Sequence, residues 1–346
     1  MRKILTYAIL ASTLVACGGN KKSENDSLIK TEEPNKFKEL DEKARQIFGV
    51  LEIKESENNP ITPEKIKLGK MLYFDKRLSK DNTQSCNTCH NLDTYGVDNK
   101  SLSEGNNGGL GGRNSPTTLN AALHIAQFWD GREPDVEAQA GGPILNPVEM
   151  AMESEKAVED RLSGINEYVI LFKEAFPNDK QAITYDNLKK AIGAFERNLI
   201  TFSKFDDYMS GDDNALTEKE KEGMKDFIDL GCTACHSGAL LGGHMYQKFG
   251  LFNDYWEYTK SKKVDNGKFD LTQNETDKFF FKVPSLRNVE KTAPYFHDGS
   301  VTDLKDAIRV MAKVQLNQDI TENQIDNIET FLKSLTGNIP IELKQQ

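Results

Sequence analysis

Cys86-Asn87-Thr88-Cys89-His90 and Cys232-Thr233-Ala234-Cys235-His236 repeat one pattern, two cysteines separated by two residues with histidine directly after, once in each half of the chain. No other feature constrains the fold as much. Paired thiols can bond the edge of a flat macrocycle while the adjoining histidine ligates its iron, the attachment pattern of a c-type haem. Disulfides, redox-active cysteine pairs and structural zinc compete for such spacing. None of these explains a histidine after both pairs. Two covalently bound haem c groups are therefore expected, one on Cys86, Cys89 and His90 and one on Cys232, Cys235 and His236.

The segments around the motifs repeat as well. Thr62-Pro63-Glu64 offers an N-cap with proline at the first helical position, opening a helix before the first motif with Ile66, Leu68, Leu72 and Phe74 on its apolar side. Thr217-Glu218-Lys219-Glu220 is a capping box opening another helix before the second motif. Amphipathic stretches close each half: Thr184 to Leu199, with Leu188, Ile192 and Phe195 on one face, and the stretch capped by Thr321 and Gln324, with Ile325, Ile328, Leu332 and Leu335. Further helices are expected over Ser154–Leu162, Asn166–Ala175 and Thr118–Trp129, with chain breaks at Gly141-Gly142-Pro143 and Asn146-Pro147. Extended structure is confined to a short piece near Phe279–Val283. This implies a mainly α fold of two duplicated cytochrome-c-like domains, each with one haem, over residues 37–199 and 200–338, with a tail over 339–346.

Five cysteines are present, so four belong to the motifs and one, Cys17, stands apart. It ends Leu14-Val15-Ala16-Cys17, after a basic start and an apolar run too short to span a bilayer. Residues 1–16 thus read as an export signal, and the cysteine at its end resembles a bacterial lipobox. Lipid on Cys17 would hold the protein to a membrane surface in the periplasm, with the polar residues 17–36 as a tether. The net charge of -10 excludes nucleic acid as an expected partner, since phosphate contacts need clusters of Lys and Arg. It suits a basic electron carrier.

Four further stretches carry a resemblance: Asn114-Ser115-Pro116-Thr117; Ala126-Gln127-Phe128-Trp129-Asp130-Gly131-Arg132; Gly142-Pro143 with Asn146-Pro147-Val148-Glu149-Met150; and Ala293-Pro294-Tyr295-Phe296-His297-Asp298-Gly299. Their order and spacing resemble bacterial dihaem cytochrome c peroxidases, whose superfamily includes the dihaem enzyme that matures the quinone cofactor of methylamine dehydrogenase. The resemblance implies that the first haem, with His90 beneath it, meets hydrogen peroxide. Glu149 then matches the distal carboxylate, which can move a proton between the peroxide oxygens as base and then acid. Gln139, Pro143 and Phe128 match residues of the same pocket, and Trp129 matches the tryptophan between the haems. Met311 matches the axial methionine of the second, electron-entry haem. A Met ligand raises a haem potential, and the maturation enzyme has tyrosine at this place. His297 matches a residue of the interface region and is read as supporting the site from behind its ligands or as hydrogen-bonded, and His244 is not expected to ligate.

One calcium ion is also implied, held by Asn114 and by backbone oxygens of Thr292 and Pro294, as suits a hard cation. Many family members close the first haem with a loop histidine until the second is reduced. Here Asn106 falls at that position, and the loop Gly105–Gly112 contains no histidine. His124, expected on the helix before Trp129, is assigned a core or hydrogen-bonding role. The resemblance thus implies peroxide reduction with electrons from a small exported cytochrome c or similar carrier. The alternatives are oxidation of a protein or aromatic substrate, and a tethered electron carrier without activity. Dimers are common among relatives, so a homodimer is a further option, but the sequence offers no interface signal.

Overall fold

The structure, a computed structural model, describes residues 36–53 and 56–344. The leader, Cys17 and the tether up to residue 35 lie outside the described residues. Helices run in the order α1 (Lys38–Phe48), α2 (Pro63–Phe74), α3 (Cys86–Cys89), α4 (Val136–Leu145), α5 (Glu155–Ser163), α6 (Asn166–Ala175), α7 (Tyr185–Glu196), α8 (Lys204–Met209) and α9 (Glu218–Asp229). The remainder are α10 (Tyr255–Thr259), α11 (Phe269–Thr272), α12 (Leu304–Leu316), α13 (Glu322–Lys333) and α14 (Ile341–Lys344). A small antiparallel pair joins β1 (Tyr246–Lys248) to β2 (Phe280–Lys282), with Gln247 opposite Phe281. Mainly helical architecture is thus found, with β2 where the sequence places extended structure and its partner β1 outside that stretch.

Helix starts follow local chemistry. The side chains of Thr62, Ser154, Thr184, Thr217 and Thr321 each accept a hydrogen bond from a backbone amide three residues on. Each satisfies one of the amides a helix start leaves without an intrahelical partner.

The duplication is visible in how the helices cross. In the first half α2 meets α7 at Gly69, where a Cβ would lie 1.8 Å from the Ala191 carbonyl oxygen and 2.9 Å from Phe195 Cβ. In the second half α9 meets α13 at Gly223, where a Cβ would lie 1.9 Å from the Asn327 oxygen and 2.9 Å from Phe331 Cβ. One turn on from each glycine an aromatic ring meets that phenylalanine, Tyr73 with Phe195 at 5.3 Å and Phe227 with Phe331 at 5.5 Å. The same backbone-close crossing is therefore built twice, each ahead of a haem motif. Leu68, Leu72, Leu188 and Ile192 form the first core with Tyr168 and Phe172, and Met224, Phe227, Ile328 and Phe331 the second with Phe205 and Tyr208.

Three expectations need correction. Thr118–Trp129 is not an α-helix: it holds one 3-10 turn, Ala121–Leu123, between Asn120 and Phe128 at φ 61° and 66°. Its backbone bonds go elsewhere, Ile125 N–H to the Gly243 oxygen and Gln127 N–H to the Glu133 oxygen, so pairing with the other half overrides local pattern. His124 accordingly lies in a loop. Gly141-Gly142-Pro143 does not break the chain but lies inside α4. Pro143 removes an amide only in the last turn, and the helix ends at Leu145. Finally, the termini cross over. Ala44 and Phe48 of α1 pack into the second core with Phe205 and Phe331. Ile339 and Leu343 pack against Tyr73, Leu92 and Phe195 of the first half. The start of the segment placed in the first domain, α1, is thus docked on the second half, and the described part of the tail, residues 339–344, on the first.

Candidate active site

Two cavities open beside the two motifs. The first, about 470 Å³, is lined by Cys86, Cys89 and His90 together with Phe128, Trp129, Gln139, Pro143 and Glu149. The second, about 360 Å³, is lined by Cys232, Cys235, His236 and Met311 together with Phe281, Lys282 and His297. Among the described residues, Trp129 is the one that lines both.

The donors fit haem c. His90 Nδ1 lies 2.9 Å from the Pro116 carbonyl oxygen, and His236 Nδ1 lies 2.9 Å from the Leu241 carbonyl oxygen. A carbonyl only accepts, so each Nδ1 carries the proton and each Nε2 keeps its lone pair for a metal. Tyr73, donating to the His90 carbonyl oxygen at 2.6 Å, and Arg287, donating to Ala239 next to the second histidine's loop, fix these segments. Burial pushes the Cys89 and Cys232 thiols up to about 11 and about 12. Redox-active cysteine pairs have depressed thiol pKa values instead. No cluster of three or more His, Cys, Asp or Glu that could hold a metal ion occurs among the described residues.

Glu149 sits in the turn after α4, not at a helix start. Asn146 builds that turn: its Oδ1 accepts from Val148 N–H, and its Nδ2 donates to Glu149 Oε1 at 3.0 Å. Burial raises the Glu149 carboxyl above the ordinary range, opposed by the positive charge of Arg132 and by the Asn146 bond. A carboxyl so placed takes up and returns a proton more readily near neutrality. The glycine-rich loop lies directly on this turn. A Cβ at Gly105 would sit 1.7 Å from the Val148 oxygen, and Asn106 N–H donates to the Glu149 carbonyl oxygen at 2.6 Å. The Asn106 side chain points elsewhere, to Asp81 and Thr83.

Trp129 Nε1 donates to the Asn114 carbonyl oxygen at 2.9 Å, and its ring meets His297 edge-on at 6.4 Å. His297 is 2 % exposed, and its Nε2 has no hydrogen-bond partner. Of the two expected roles, support by ring packing is the one found, with the imidazole stacked on Phe281 at 4.4 Å. His244 Nδ1 faces the Gly242 carbonyl oxygen, and His124 Nδ1 faces Lys282. Asn114 lies along the 292–297 segment: its N–H donates to the His297 oxygen, while Asn99 Nδ2 reaches the Ala293 oxygen.

Other residues at these cavities were not singled out by the sequence. Arg132 stacks over the Phe128 ring at 3.4 Å and pairs with Asp130, which Arg113 also holds. Arg132 belongs to a stretch that carries the resemblance and Arg113 directly precedes one, which is the signal that could have found them. Glu196, 3 % exposed at the first cavity, is pushed up to about 8 by burial and by the nearby Glu137 charge. Nothing in its local sequence marks it.

Over 290 residues the chain is 44% identical to the cytochrome c551 peroxidase of Pseudomonas aeruginosa, covering 84% of this chain and 83% of that protein. The chain belongs to the di-haem cytochrome c peroxidase family. The model of that family matches residues 63–214. The cytochrome c551 peroxidase of Nitrosomonas europaea is 45% identical over 284 residues, 81% of this chain and 83% of that protein. The methylamine utilization protein MauG of Methylophilus methylotrophus is more distant, 33% identical over 81% of this chain and 84% of its own length. Among solved structures, a MauG-like protein associated with microbial copper homeostasis superposes with a TM-score of 0.74 at 27% identity, over 83% of this chain and 93% of that one. Family membership implies haem c as the cofactor.

Proposed function

We propose that this chain reduces hydrogen peroxide to water with electrons from a small cytochrome c or similar carrier. The observation that carries this is the convergence of Glu149, Gln139, Phe128 and Pro143 on the cavity of the first haem motif, with Trp129 shared between the two cavities. Cys86, Cys89 and His90 would hold haem c, which would supply the iron and the redox chemistry for peroxide reduction. The chain's part is to place a proton. Glu149 accepts it from the nearer peroxide oxygen and returns it to the leaving one, while Gln139, Pro143 and Phe128 shape the space. Met311 and His236 line the second cavity together, which supports a Met-ligated electron-entry haem of raised potential. Steady-state turnover of peroxide with reduced cytochrome c tests the reading, and a holoprotein with both haems but no turnover would sink it.

A haem at the first motif would have no loop side chain to close it in the fully oxidised state. Asn106 turns its side chain to Asp81 and Thr83, and the loop backbone is already bonded to the Glu149 turn. Electron paramagnetic resonance of the oxidised holoprotein is expected to show a high-spin ferric signal, and two low-spin haems without one would refute it. Calcium at Asn114, Thr292 and Pro294 is part of the same proposal. Asn114 Nδ2 donates to the Lys100 oxygen at 2.9 Å, and its backbone oxygen accepts from Trp129 Nε1, so the side-chain oxygen Oδ1 is the atom left to face a cation. Chelation is expected to lower the thermal midpoint of the holoprotein, since a ligand bound only to the native state stabilises it. A periplasmic location and a lipid on Cys17 are proposed on the sequence pattern alone. Labelling with a fatty-acid analogue, lost in Cys17→Ala, tests the anchor.

A further inference from the structure

Lys282 is 7 % exposed, follows Phe281 in β2, and is one of the residues lining the second cavity. Its own N–H donates to the Trp129 carbonyl oxygen at 2.8 Å, which fixes it at the seam between the halves. Buried ammonium groups need an anion, because an unpaired charge away from water is costly. No carboxylate of the described residues lies within ion-pair distance of Lys282. Its hydrogen bond runs to His124 Nδ1, at 3.0 Å.

That contact leaves the requirement unmet. An ammonium only donates, so Nδ1 of the neutral His124 accepts and the ring proton sits on Nε2. His124 Nε2 is itself buried without a partner. The cluster therefore holds several buried donors, one neutral acceptor in His124 Nδ1, and no anion. Cations at the first cavity differ: Arg113 is paired with Asp130 and Asp265, and Arg132 with Asp130. Burial pushes the Lys282 pKa down to about 8, with no opposing charge.

We propose that Lys282 is a carboxylate-binding residue whose partner is a propionate of the second cavity's haem, forming a buried ion pair beside Trp129. This rests on haem c occupying the second motif. The ammonium completes an otherwise anion-less cluster, and its positive charge favours the reduced state of the electron-entry haem.

The test uses the full-length holoprotein, with two covalent haems per chain verified by pyridine haemochrome before anything else is read. A chain lacking the second haem would overturn the haem reading itself rather than the role of Lys282. With both haems present, Lys282→Met is expected to shift the reduction equilibrium of the second haem about tenfold toward the oxidised form, about 59 mV for one electron. It is also expected to move the propionate-bending bands in the resonance Raman spectrum. Lys282→Arg should keep the bands near their original positions. If Lys282→Met fails to take up haem, Lys282→Gln is read in the same way. Unchanged bands and potential in either neutral variant overturn the proposal. So does a wild-type potential that follows added acetate while the bands stay fixed, because the carboxylate would then be a free one.

Discussion

Glu149→Gln is expected to lower kcat/KM for peroxide by about 10²–10⁴, the usual contribution of a positioned general acid–base group, with haem content and absorption spectrum unchanged. Glutamine keeps the shape of the side chain and an oxygen to accept from Asn146 Nδ2, so the turn after α4 has no reason to move. What disappears is the proton site. Burial holds the Glu149 carboxyl above the ordinary range, and Arg132 pulls it back. As a base it must be ionised, so turnover should rise with pH through a value above that of a free carboxylate. Arg132→Met removes the opposing charge, and the acid limb of the profile should then move to higher pH. An unshifted limb would mean that another group titrates in the rate profile. Full turnover in Glu149→Gln would remove the carboxylate from the mechanism.

How much of this was legible in the sequence depended on where the signal lived. Helix starts were legible because Thr62, Thr217 and Thr321 make their bonds within three residues. Cys86–His90, Cys232–His236 and the stretch ending in Glu149 carried their chemistry in adjacent positions, and the structure gathers them around two cavities. Thr118–Trp129 misled because its amides are spent on residues far along the chain, among them Gly243. The exchange of α1 and α14 between halves was invisible for the same reason. Lys282 and Glu196 carry no local mark, since what distinguishes them is the low polarity assembled around them by other segments.

The two close helix crossings lead to the second large effect. Alanine for glycine in a helix is ordinarily stabilising by about 1 kcal/mol. At Gly69 and Gly223 the added methyl would sit 1.8 Å and 1.9 Å from a carbonyl oxygen of the facing helix, well inside the 3.4 Å at which ordinary contact begins. Neither obstacle is a side chain that can rotate away, so α2 must part from α7, or α9 from α13. Overpacking of this kind costs about 3 kcal/mol or more at its upper end, which outweighs the propensity gain. Gly69→Ala and Gly223→Ala are therefore both expected to lower the thermal midpoint of the holoprotein. Gly164→Ala is the control: its Cβ would meet nothing nearer than the Arg161 oxygen at 3.4 Å, and its φ is -74°, so stability should hold or rise slightly. Because each crossing precedes a haem motif, its loss should also reduce loading of the haem in its own half. Equal loss at both motifs from either substitution would mean that the duplicated crossings do not support their haems separately.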